Sequence, residues 1–143
     1  MKERETETSL PHEFESAPRA AAATISAAAV RAASRDVVTF AAATLAAWAH
    51  TIDEIRIGEV IAVPFGIANA AVLAAWPRVG SRARAATAIA FGLFWGLAVI
   101  PYHILPLLGG AVTAQNVSGV SRLAAGAVMV ALGVAIVRRR ERD

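Results

Sequence analysis

The sequence predicts an all-α polytopic membrane protein: a four-transmembrane-helix bundle preceded by an N-terminal Ala-rich cytoplasmic helix. Three observations carry this reading. Of the 143 residues, 57% are hydrophobic and 17% charged, against roughly 45–50% and about 25% in an average soluble domain. The excess lies in long apolar blocks after residue 36, behind a polar N-terminal stretch, and mean hydropathy is +0.54. Most of the Arg residues flank those blocks rather than interrupt them. The chain has no cysteine, which excludes a disulfide scaffold, thiol redox chemistry and covalent c-type haem.

Residues 1–18 (MKERETETSLPHEFESAP) alternate acid and base and contain no apolar core of a secretory signal. With Pro11 and Pro18 they read as a disordered cytoplasmic tail, His12 included. Residues 19–36 are Ala-rich and carry Arg19, Arg31 and Arg35, so they read as a cytoplasmic or membrane-surface helix. The apolar run from Ala20 to Val30 is too short to span.

The membrane domain is expected over residues 37–143. Span 1 runs from about 37 to 55, turning polar at His50, Asp53 and Glu54. Span 2 covers about 57–76, with Pro64 and Gly66 expected to bend it and Asn69 near its middle. Span 3 covers about 85–108, its far end marked by Pro101, Tyr102, His103 and Pro106. Span 4 covers about 117–137 and stops at Arg138-Arg139-Arg140. In hydrocarbon each backbone N–H and C=O must be satisfied within the segment or a closed barrel, and these blocks lack the alternation a barrel strand needs.

The positive-inside rule sets the orientation. With the N-terminus in the cytoplasm, Lys2, Arg4, Arg19, Arg31, Arg35, Arg78, Arg82, Arg84, Arg138, Arg139, Arg140 and Arg142 are inside, and only Arg56 and Arg122 are outside. Both termini are therefore expected in the cytoplasm of a multi-pass plasma-membrane protein. Basic residues at membrane boundaries explain the net charge of +3 without nucleic acid. Gly92/Gly96 and Gly126/Gly133 are small-residue faces on which helices can approach, within the bundle, between copies in a homo-oligomer, or in a larger membrane complex.

One polar layer stands out. At about 1.5 Å per residue, His50, Asp53, Glu59, His103 and Arg122 each lie about 21–27 Å from the cytoplasmic end of their span. All four spans thus carry an ionisable residue in the outer third of a core roughly 30 Å thick. His50, Asp53 and Glu54 share a helix face. His50, Asp53 and His103 are the candidate acid–base residues, and also candidate ligands of Zn²⁺ or another first-row divalent metal. Glu54, Glu59, Tyr102, Arg122 and Asn69 are candidates for ligand binding or charge balance. No cofactor is required by the sequence; a divalent metal suits the layer, and a b-type haem would have to use His50 and His103 as its pair. Against these stands a plainer reading, in which the acids and Arg residues only cap the outer helix ends.

The chain has no P-loop, GxSxG or HExxH motif. The leading expectation is a small integral membrane protein whose His/carboxylate pocket, near the extracytoplasmic face, handles a proton, an ion or a small or lipid-like ligand by transport or acid–base chemistry. The alternative is a non-catalytic accessory or scaffold subunit.

Overall fold

The computed structural model describes residues 13–60 and 62–142, and every regular element among them is helical. Helix α1 spans Glu13–Arg56, α2 Ala62–Ala75, α3 Ser81–Val99, α4 Leu105–Leu108 and α5 Ala114–Arg140. A 3-10 turn, Trp76–Arg78, follows α2, and a π-helical segment, Ile100–Ile104, joins α3 to α4. The runs Ser81–Leu108 and Ala114–Arg140 are long and apolar enough to cross a membrane. The chain divides into two compact units, Met1–Ser34 and Arg35–Asp143. In the first, residues 13–34 are helical; the expectations for residues 1–12, His12 among them, fall outside the described residues.

One boundary differs from the sequence reading. A helix is present from Glu13, ahead of Pro18, and it continues through residue 36 to Arg56. No Gly or Pro lies between Arg19 and Ile57, and Ala propagates helix well, so nothing in that stretch stops it. The stop comes at Gly58, whose φ of 92° suits glycine. Gly58 N–H donates to the Ile55 carbonyl and Glu59 N–H to the Glu54 carbonyl, both at 3.0 Å, the two bonds of a Schellman cap. Helix α4 ends in the same way: Gly110, at φ 93°, donates to Leu107 at 3.0 Å, and Ala111 donates to Pro106 at 2.9 Å.

Within the second unit α1 and α5 run antiparallel, since Asp36 meets Arg139 while His50 meets Ser118. Phe40, Ala43 and Ala47 of α1 pack in one core with Ala125, Met129, Leu132 and Ile136 of α5 and Ala85 and Ala88 of α3. Phe40 stacks on Trp76, with ring centroids 4.3 Å apart and planes 7° from parallel. Trp76 is thereby a core residue, 2% exposed.

Helices α3 and α5 touch backbone to backbone. A Cβ on Gly92 would lie 2.5 Å from the Gly126 carbonyl oxygen, and one on Gly126 would lie 2.6 Å from that of Gly92. Gly133 faces Ile89 and the Ala85 carbonyl in the same manner. The small residues are consumed in a contact inside the chain, where close approach gains dispersion energy that a larger side chain would block.

Candidate functional site

The site forms where α1, the π-helical segment and the start of α5 converge. Glu54 is held at the last turn of α1 by the Gly58 cap, with its carbonyl bonded and its side chain turned towards His50. His103 sits on the widened π turn. Pro101 has no N–H to continue the α ladder, and Leu105 N–H instead reaches back five residues to the Ile100 carbonyl. Gly119 of α5 makes room for it: a Cβ there would lie 2.6 Å from His103 Cβ. Thr113 caps α5 by accepting from Asn116 N–H at 3.1 Å.

Three side-chain atoms meet at one point. His50 Nε2 lies 3.2 Å from His103 Nε2 and 3.3 Å from Glu54 Oε1, and His103 Nε2 lies 3.8 Å from the same oxygen. The rings stand nearly perpendicular, at 86°. The surrounding hydrogen bonds accommodate one pair of tautomers. With its hydroxyl donating to the Gln115 carbonyl at 3.0 Å, Ser118 Oγ can accept from His50 Nδ1–H at 2.7 Å. Asn116 Nδ2 donates to the Ala111 carbonyl at 2.7 Å, so its Oδ1 accepts from His103 Nδ1–H at 3.3 Å. In that tautomer pair the two Nε2 lone pairs are directed at one another and at a carboxylate oxygen. Such a convergence of acceptors is repulsive unless a proton or cation stands among them.

Arg122 completes the group. Its guanidinium donates to Glu54 Oε1 at 3.2 Å and to Thr51 Oγ1 at 2.8 Å, and lies 4.2 Å from the Trp95 ring centroid. His50 is fully buried and Arg122 is 5% exposed. Glu54, His103 and Arg122 line a cavity of about 570 Å³ together with the aromatic residues Phe65, Phe94 and Trp95.

Of the sequence candidates, His50, Glu54, His103 and Arg122 come together. Glu59 and Tyr102 line the same cavity as exposed residues. Asp53 is half-buried and outside the three-atom group; the carboxylate in that group is Glu54, one residue on. Asn69 is buried at 1% exposure and lies apart from the cavity lining. The haem expectation does not fit, because 3.2 Å between the two Nε2 atoms leaves no room for a macrocycle between the rings.

Sequence reasoning missed Ser118, Asn116, Thr51 and Gly119. The seven-residue spacing of Gly126 and Gly133, extended one step back, lands on Gly119 and was the one signal for it. Compared with known protein families, with curated proteins and with solved structures, the chain matches none.

Proposed function

We propose that this is a small four-span membrane protein, both termini cytoplasmic, whose activity resides in a divalent-metal centre held by His50, Glu54 and His103 at the outer end of the bundle. The twelve-to-two partition of Lys and Arg supports the orientation. The apolar run of α1 after residue 36, and α2 extended by Trp76–Arg78, would supply the two spans beyond the pair long enough by themselves.

The observation that carries the metal reading is the convergence of His50 Nε2, His103 Nε2 and Glu54 Oε1 with both Nδ1 atoms already engaged. Ligands at about 2.0–2.1 Å in a tetrahedral shell lie about 3.4 Å apart, close to the observed 3.2, 3.3 and 3.8 Å. Metal-bound imidazoles commonly donate their second nitrogen to an oxygen, as Ser118 and Asn116 allow here. Two imidazoles and one carboxylate leave a fourth position, and Glu54 and His103 border the cavity on that side. A metal there would act as a Lewis acid or activate a bound water.

The test is metal analysis of protein purified in detergent without chelators. About one equivalent of zinc or another first-row metal is expected, falling to background in His50→Ala; less than about half an equivalent in the parent chain overturns the reading. Topology has its own test, because the chain lacks Cys. Cysteines placed at Gly80 and Val112 are expected to react with an impermeant reagent from opposite sides.

A second reading, the accessory subunit with a capped helix end, is favoured by the Arg122–Glu54 pair, which neutralises itself. It would leave His50→Ala without effect on activity. Docking through Gly92 and Gly126 is less favoured, since those residues face each other within the chain.

A further inference from the structure

We infer that the cavity beside His103 and Arg122 binds an amphipathic carboxylate, with its head at the fourth metal position and its apolar body along Phe65, Phe94 and Trp95; this rests on the metal reading above. The argument begins with charge. A dication, the Arg122 cation and the Glu54 anion sum to two positive charges among buried side chains. Glu59, on the cavity lining, is exposed and screened by solvent. An unbalanced positive charge away from water is costly, so the site favours an anion.

Size and lining then narrow the anion. A water or hydroxide, with a share of roughly 30 Å³ in the liquid, would occupy a small part of a cavity of about 570 Å³. The remainder is bounded by three mutually packed rings. Phe65 and Phe94 each meet Trp95 edge-on, at 5.4 and 4.9 Å between centroids. Phe65 and Phe94 are still 37% and 50% exposed, so this wall continues onto the outer face of the bundle, which would border hydrocarbon. A ligand carrying an apolar chain would approach from there.

The lining also carries a cation suited to an acceptor-bearing head. Among the described residues, Arg122 Nε and Trp95 Nε1, on two lining residues, are buried without a hydrogen-bond partner, as are both amide atoms of Asn69 away from the cavity. Buried N–H groups are seldom left unpaired, and Arg is suited to a carboxylate because its donors match the spacing of the two oxygens. One polar end with metal and guanidinium, next to an aromatic wall, is the arrangement that binds a charged head on an apolar body.

The experiment loads the full chain in non-ionic detergent with cobalt(II) and follows its visible absorption as decanoate, acetate or decanol is added. Decanoate is expected to shift the bands saturably, at least about tenfold more tightly than acetate because each buried methylene adds to binding. Decanol is expected to leave the bands unchanged. Arg122→Gln should weaken decanoate by about tenfold or more. Phe94→Ala, on an exposed wall residue, should reduce the preference for decanoate over acetate. Cobalt bands that form but do not respond to decanoate overturn this inference and leave the metal centre standing. Equal affinity for acetate and decanoate overturns the amphipathic class. Failure to bind cobalt at all overturns the metal reading and this one with it.

Discussion

Asp36 and Arg139 close one end of the α1–α5 pair, and Glu54 and Arg122 stand near the other. At the first end Arg139 Nη2 donates to both Asp36 oxygens, at 2.7 and 2.6 Å, and the Arg139 side chain is 39% exposed. The next turn of α1 carries Phe40, stacked on Trp76. One cation meets one anion there, beside an apolar core. At the second end the pair is more deeply buried, with side chains 14% and 6% exposed, and two imidazoles crowd the same Glu54 oxygen. A helix cap needs only what the first end has. The second end gathers two imidazole nitrogens around the oxygen that Arg122 already holds, which is more than a cap requires.

If that contrast is right, substitutions at the two ends should differ in kind. The largest effect is expected from His50→Ala or His103→Ala. Each removes a ligand, so bound metal should fall from about one equivalent to background while helical content by circular dichroism is unchanged. Retained metal in both variants would make the two ends equivalent.

A large effect on stability, and only secondarily on metal, is expected at the α3–α5 contact between the ends. Gly126→Leu places side-chain atoms where the Gly92 backbone lies, 2.6 Å from the new Cβ. Overpacking of this kind costs about 1–3 kcal/mol or more, read as a lowered unfolding midpoint in detergent. Gly119→Ala is expected to act on the site as well, since its Cβ would displace His103.

Next come the groups that orient the rings. Ser118→Ala and Asn116→Ala are expected to weaken metal affinity by about 10–100-fold without loss of fold, measured by competition with a chelating dye. An effect as large as that of His50→Ala would mean that the hydrogen bonds, and not the lone pairs, hold the centre together.

The smallest effect belongs to the closed end. Asp36→Asn removes a partly exposed pair and should cost about 1 kcal/mol or less, with metal content unchanged. Loss of metal in Asp36→Asn would join the two ends energetically and remove the basis for treating them separately.

How much of this could be read from the chain alone follows the same division. The helices α3 and α5 are legible because uninterrupted apolar runs end at Gly, Pro or Arg clusters. The common level of His50, His103 and Arg122 is legible because helical rise is constant. The start of α1 ahead of Pro18 is not, because proline lacks the N–H that continues the helical ladder and the preceding EFES carries no apolar periodicity. The choice of Glu54 over Asp53 was equally hidden. Residues at i+3 and i+4 both lie on the His50 face, and only the approach of His103 and Arg122 from other helices selects between them. Ser118 and Asn116 act through partners 68 and 13 residues away, which no local pattern encodes.

The central claim is that two imidazoles and one carboxylate share a cation, and X-ray absorption at the metal edge of the zinc-loaded chain tests it most directly. A first shell of nitrogen and oxygen at about 2.0–2.1 Å, with the outer-shell scattering of two imidazole rings, is the expected result. A shell of oxygens alone, with no imidazole scattering, would contradict it.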